Sequence, residues 1–258
     1  MSAVPLLEVH GLAVEIGAKV VCRNLDLALH PGDSIALLGA NGVGKTTLLH
    51  TLAGLRAPVA GEVRLDGIAL TTLPRRHVAR RLGLLMQNPE DGLPATVLET
   101  ALIGRHPHLD FWRWESHDDV AIARRALKSV GLDGLEQRAQ TSLSGGERRR
   151  LDLASILVQD PAVFLLDEPS GQLDLHHQLA LLGQLQRMAA QESRAVIMSL
   201  HDINLAARFC NRILMIFGDG TCAHGGCPDM LTPETLSRLY RVPVRVLSWE
   251  GGKAYLPG

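Results

Sequence analysis

The sequence predicts an α/β fold, a largely parallel sheet with an antiparallel β part before it and a helical segment inserted into it. Three observations carry that expectation. A glycine-rich loop, Gly39–Thr46, lies between an apolar run and a helical pattern. From 147 to 217 helical and strand periodicities alternate, as they do where crossover helices join parallel strands. Between 88 and about 141 the pattern is helical, broken at 105–110 and near Gly131–Gly134.

The elements follow in order. Leu25, Leu27 and Leu29 alternate with Asp26 and Ala28, a half-buried strand, and His30-Pro31-Gly32-Asp33 supplies the turn after it. Ser34–Leu38 is a short apolar strand. Lys45–Leu55 carries Leu48, Leu49, Leu52 and Leu55 at helical spacing. Val63 and Leu65 alternate with charges before Asp66-Gly67, a hairpin signal. Pro74 suits the first turn of a helix reaching Arg81, and Leu82–Met86 reads as a buried strand. The second half then reads helix 147–159, strand 162–167, helix near 174–191, strand 195–199, helix near 203–209 and strand 212–217.

Composition narrows the function. The chain has 258 residues, 46% of them hydrophobic and 3% aromatic, with a formal net charge of −1. Such near balance argues against a nucleic-acid binder, whose domain is usually strongly basic. No apolar run approaches the roughly 18–20 residues a membrane-spanning helix needs. Met1–His10 lacks the pattern of a secretory signal, so the four cysteines, Cys22, Cys210, Cys222 and Cys227, are expected as reduced thiols.

The chemistry is carried by three segments. Gly39-Ala40-Asn41-Gly42-Val43-Gly44-Lys45-Thr46 fits the phosphate-loop pattern G-x-x-x-x-G-K-[ST]. Glycines let backbone N–H groups wrap a phosphate, and the helix that follows aims its positive end at the same anion. Lys45 can reach the β- and γ-phosphates, and the Thr46 hydroxyl can ligate Mg²⁺. Val163–Glu168 is an apolar strand ending in two carboxylates. Asp167 suits the Mg²⁺ shell and Glu168 the attacking water. Two acids at a strand end are ordinarily a solvated turn; downstream of a phosphate loop they are the expected metal-and-base end of a nucleotide hydrolase. The third segment, Leu143-Ser144-Gly145-Gly146-Glu147, opens a helix with Ser144 as N-cap, a second place where helix geometry favours an anion.

With these three segments the sequence resembles the ATP-binding subunits of ABC transporters from about residue 6 to 217. The resemblance implies a P-loop NTPase (RecA-like) core from 1–87 and 143–217, with an N-terminal antiparallel β subdomain, a helical subdomain at 88–142 and a C-terminal extension at 218–258. It implies ATP held by Ile16, Gly39, Ala40, Asn41, Gly42, Val43, Gly44, Lys45, Thr46 and Thr47, and Mg²⁺ held by Thr46, Gln87 and Asp167. Glu168, His201, Gln87 and Lys45 would be catalytic. Ser144, Gly145, Gly146, Glu147 and Asp174 would meet the ATP of the opposite protomer in a head-to-tail dimer. Two departures stand out. Ile16 takes the place of an aromatic ring under the adenine, so selectivity for adenine is expected to be weak. Gly171-Gln172 replaces a commoner small pair before Leu173-Asp174, which is expected to loosen the dimer contact.

Gly104–His108, Asp174–Gln178, His201–Arg208 and the tail from Met230 to Val246 are similar to the subunits that serve iron–siderophore, haem and cobalamin import. That implies a polytopic membrane permease as partner, an exported substrate-binding protein acting indirectly, and a place at the cytoplasmic face of the inner membrane. The rival reading is a soluble ABC-type ATPase of assembly or regulation without a permease. Four features are set aside: Arg75, Arg76, Arg80 and Arg81 read as a solvated helix face, Cys222-x-His224-x-x-Cys227 as a loop with incidental thiols, His176-His177 as no joint metal site, and Trp112 and Trp114 as buried, with packing against a membrane partner the sharper alternative.

Overall fold

A computed structural model describes residues 4–87, 94–110, 112–250 and 252–258. Strands β1 (Leu7–Ile16) and β2 (Lys19–Leu29) form an antiparallel hairpin with Leu7 opposite Leu29. The alternation expected of Leu25, Leu27 and Leu29 is present: all three are buried and Asp26 is exposed. β4 (Ala60–Leu65) pairs with the other edge of β1, and β5 (Ile68–Ala69) returns through the turn at Asp66-Gly67. These strands make a four-stranded sheet in the order β2-β1-β4-β5.

The central sheet has six strands, ordered β10-β9-β3-β8-β7-β6. β3 (Ser34–Leu38), β6 (Leu82–Leu85), β7 (Val163–Leu166), β8 (Ala195–Ser199) and β9 (Arg212–Ile216) are parallel to their neighbours in this set. Their unbroken apolar runs follow from cover on both faces. Ile35, Leu37, Val163, Leu165, Ala195, Ile197, Leu214 and Ile216 pack towards the four-stranded sheet and helix α1 (Lys45–Leu52). Ala36, Leu38, Phe164, Leu166, Val196, Met198, Ile213 and Met215 pack into a second core with α5 (Gly145–Gln159) and α6 (Leu175–Gln191). Parallel direction puts the C-terminal ends of β3, β6, β7 and β8 on one edge of the sheet. α5 begins two residues earlier than expected, because Ser144 caps it directly.

α2 (Arg75–Arg81) leads into β6 with Pro74 as its N-cap. Its arginines do more than face solvent: Arg81 forms a 2.7 Å pair with Asp66, and Arg76 and Arg80 both donate to the Pro107 carbonyl at 2.9 and 2.6 Å. α3 (Val97–Leu102) and α4 (His117–Ser129) pack on α5. Residues 88–93, the start of the expected helical segment, lie outside the described residues. Trp112 and Trp114 are 88% and 90% exposed, which overturns burial as their role.

Beyond 217 the chain rejoins the core. β10 (Cys222–Gly226) pairs antiparallel with β9, so Cys222 and His224 sit on a strand rather than in a loop. α7 (Ile203–Phe209), α8 (Cys227–Met230) and α9 (Pro233–Tyr240) follow β8 and β10, and β11 (Val244–Trp249) with β12 (Gly252–Pro257) makes a terminal hairpin. Asn204 donates to the Tyr255 carbonyl and accepts from its N–H, so that hairpin is pinned to α7 just after His201. All four cysteines are free thiols, and no group of three His, Cys, Asp or Glu residues able to hold a metal ion occurs among the described residues. No helix among them is long and apolar enough to cross a membrane.

Candidate functional site

The strand ends converge on one cavity of about 480 Å³, lined by Ile16, Asn41, Gly42, Gly44, Lys45, Thr46, Thr47, Gln87, Glu168 and His201. Each strand delivers its residues at its C-terminal end, where open α/β sheets bind ligands. The loop after β3 carries Gly39 to Gly44 and runs directly into α1. Gly44 has φ 119°, and a Cβ there would stand 2.6 Å from Val21, so only glycine lets the loop lie against β2. α1 has no side-chain cap and no acid in its first turn, the electrostatic setting in which a helix start favours an anion. Gly39, Ala40 and Val43 belong to the loop but do not line the cavity.

Lys45 is buried, and its Nζ donates to the carbonyls of Gly39 at 2.8 Å and Ala40 at 3.3 Å. Burial lowers its pKa below the ordinary lysine value, while the charges of Glu168 and Asp167 oppose that shift. Thr46 Oγ1 donates to Asp167 Oδ2 at 2.5 Å, and Ser199 Oγ donates to Asp167 Oδ1 at 2.6 Å. Asp167 is therefore buried with a hydroxyl donor on each oxygen. Hydroxyl and carboxylate oxygens are the hard donors that suit Mg²⁺.

Glu168 takes a left-handed backbone, φ 49°, uncommon for a non-glycine residue. Three contacts hold it there. Its N–H donates to Ser199 Oγ at 2.8 Å, and its carbonyl accepts from Gly171 N at 3.0 Å and from Arg149 Nη2 at 3.0 Å. His201 Nε2 lies 2.7 Å from Glu168 Oε1; against an ionised carboxylate that nitrogen carries the proton and donates.

Arg149 is the functional residue that sequence reasoning missed. It is buried, and its guanidinium donates to the carbonyls of Met86 (2.5 Å), Asp167 and Glu168. It thus ties the residue before Gln87 to both acids. Burial lowers its pKa, against the charges of Asp152, Asp167 and Glu168. Its position within the basic run Arg148-Arg149-Arg150 hides it. The available signal was its spacing: Arg149, Leu153 and Ile156 stand at i, i+4 and i+7 on the buried face of α5. Ser199 was likewise legible as the single hydroxyl closing an otherwise apolar buried strand.

Ser144, Gly145, Gly146, Glu147 and Asp174 do not line this cavity. Ser144 and Glu147 form a reciprocal cap at the start of α5, with Ser144 N and Oγ both donating to Glu147 Oε2 at 2.8 Å. Those two bonds hold the Glu147 carboxyl below the usual carboxylate range. A Cβ on Gly145 would fall 2.8 Å from Gln172 Oε1, so the unusual Gln172 packs against the start of α5 of its own chain. Asp174 caps α6.

Comparison with known proteins gives a consistent result. Residues 22–171 match the family model for the ABC transporter. The chain is 40% identical over 253 residues to the hemin import ATP-binding protein of Myxococcus xanthus, covering 95% of this chain and 93% of that protein. It is 36% identical over 230 residues to the ferric enterobactin transport ATP-binding protein of Escherichia coli, covering 89% and 84%. Among solved structures, one described as a metal-chelate type ABC transporter in an inward-facing conformation superimposes with a TM-score of 0.85 at 27% identity, covering 98% of both chains.

Proposed function

This chain belongs to the ABC transporter family as an ATP-binding, ATP-hydrolysing subunit, and we propose that the importer it energises carries an iron–siderophore, haem or cobalamin. The cargo class is supported by likeness to a hemin import protein and a ferric enterobactin transport protein over nearly the whole chain. The observation that carries the catalytic reading is the convergence of Lys45, Thr46, Gln87, Glu168 and His201 on one cavity, with Asp167 bonded to Thr46 beneath it.

In the proposed mechanism, the loop N–H groups and Lys45 hold the β- and γ-phosphates, exchanging the Gly39 and Ala40 carbonyls for phosphate oxygens. Thr46, Asp167 and Gln87 would hold Mg²⁺, which when bound neutralises charge on those phosphates. Glu168 orients the water and accepts its proton. His201 leaves Glu168 Oε1 to donate to the γ-phosphate, which frees the carboxylate for that task. Ile16 forms the wall against the adenine. Arg149 and Ser199 fix both acids without touching nucleotide.

Ser144–Glu147 and Asp174, outside the cavity of their own chain, are assigned to the ATP held by a second copy in a head-to-tail dimer. Closure of that dimer would move 88–142, the proposed helical subdomain, against a polytopic permease at the cytoplasmic face of the inner membrane. A substrate-binding protein exported from the cell would deliver the cargo. Glu168→Gln is expected to reduce ATP hydrolysis by roughly 10²–10⁴-fold while nucleotide still binds. The test is affinity capture with that variant and ATP from detergent-solubilised membranes, read by mass spectrometry. A many-spanning membrane protein supports the importer reading; soluble partners alone overturn it and leave the ATPase intact.

A further inference from the structure

Outside the nucleotide cavity, one chain of hydrogen bonds joins the inserted helical segment to the loop before α6. Asp174 is the N-cap of α6, and both its carboxylate oxygens lie 2.9 Å from His177 Nδ1. The other ring nitrogen, His177 Nε2, lies 2.9 Å from Arg150 Nη1. The same Nη1 reaches the carbonyls of Val130 and Gly131, at 3.3 and 3.4 Å, where α4 ends. Arginine only donates, so Nε2 must offer a lone pair, and the imidazole proton must therefore sit on Nδ1 and point at Asp174. The two contacts fix a neutral imidazole in one tautomer. An ion pair between a protonated His177 and Asp174 is incompatible with the Arg150 contact.

We infer that His177 is a positioning residue that, through Arg150, couples the end of α4 to the orientation of Asp174. The inference rests on the dimer reading above, in which Asp174 serves the opposite protomer's ATP. The Asp174 side chain is 66% exposed, so water would compete for it freely. The backbone N–H of His177, 2.9 Å away, holds only Oδ1; the imidazole spans both oxygens and sets the plane of the carboxylate. Arg150 extends from α5, the helix that Ser144–Glu147 begin, so both segments assigned to the opposite ATP are referred to one helix. A displacement of the α4 end relative to α5 would first break the Arg150 contacts to the Val130 and Gly131 carbonyls, because at 3.3 and 3.4 Å they are the longest in the series. Arg150, no longer anchored by those carbonyls, would be free to swing away from His177 Nε2, and the fixed tautomer would go with that contact.

The experiment is steady-state ATPase on the full chain, with kcat, the KM for ATP and the unfolding midpoint measured for each variant. His177→Ala is expected to lower kcat roughly tenfold with KM little changed, since Asp174 acts after the chain's own ATP has bound. His177→Asn keeps a donor for Asp174 and should recover part of the loss. Arg150→Gln combined with His177→Ala should lower kcat no further than His177→Ala alone. An unchanged kcat in His177→Ala, no recovery in His177→Asn, or independent effects of the Arg150 and His177 changes would each overturn the coupling. If His177→Ala does not fold, His177→Leu decides: it keeps much of the ring's bulk but offers neither a donor to Asp174 nor an acceptor to Arg150, and a wild-type kcat would refute the proposal. Asp174→Asn is the control. No effect there removes the opposite-protomer role of Asp174, and the coupling with it; an effect there with a wild-type His177→Ala removes only the coupling.

Discussion

Ile16 sits at the tip of the β1–β2 hairpin, 38% exposed and facing the cavity that Asn41 and Gly42 also line. Two contacts hold that tip in place. Lys19 Nζ donates to the Gly42 carbonyl at 2.6 Å, and Arg56 donates to the Glu15 carbonyl at 2.6 Å. An apolar side chain there can cover a base but cannot stack on it as a ring does. Replacing it by an aromatic adds a stacking contact worth about 0.5–1.5 kcal/mol. Ile16→Tyr should therefore tighten ATP binding by roughly two- to tenfold, measured by equilibrium titration with Glu168→Gln as the background. Unchanged affinity would remove Ile16 from the nucleotide wall. At the same scale, Arg149 shows how a buried cation is tolerated: burial opposes its charge, and three carbonyls supply the bonds that offset it.

At the scale of the element, α4 shows a helix start tied to its surroundings. Ser116 and Asp119 cap it reciprocally, and Arg105, in the 103–105 turn before it, donates to Asp119 Oδ1 at 2.7 Å. The Asp119 side chain is 11% exposed. The N–H and hydroxyl of Ser116 first, and the Arg105 charge after them, pull its carboxyl down to about 2. A carboxylate whose pKa falls on folding stabilises the fold above its unfolded value near 3.8, and the contribution fades as pH drops through about 2. The shift corresponds to about 2 kcal/mol. Asp119→Asn should lower stability by that order at pH 7, and the gap should close between pH 4 and pH 2, read from denaturant unfolding across the pH series. A gap independent of pH would mean that the charge is not what stabilises α4.

At the scale of the whole molecule, the exposed tryptophans mark a surface rather than a core. Trp112 and Trp114 follow the 105–110 turn, whose Pro107 carbonyl is held by Arg76 and Arg80 of α2. That contact ties the inserted segment to the helix leading into β6, and β6 ends beside Gln87. A partner pressing on this surface would therefore be linked through α2 to β6, the strand that precedes Gln87. Trp112→Ala with Trp114→Ala should leave stability within about 0.5 kcal/mol of wild type, as for surface substitutions generally. The same pair should reduce recovery of the membrane partner in the affinity capture. Full recovery would place the docking surface elsewhere.

Much of this was legible from local pattern. The phosphate loop, the two acids after an apolar strand and the capped Ser144 helix each declare themselves over fewer than ten residues, because their chemistry depends on backbone turns and adjacent side chains. The parallel strands were legible too, since burial on both faces leaves no polar alternation. Residues 218–258 resisted such reading: β10 is a glycine-containing strand, and only its pairing with β9 makes it part of the sheet. Tertiary structure alone joined Arg149 to Met86 and the two acids, across 63, 18 and 19 residues of chain, and His177 to Arg150, across 27. It alone also left the tryptophans in solvent. A sequence determines which groups can bond and how the backbone turns locally; which distant carbonyl meets which guanidinium is set when helices and sheet pack together.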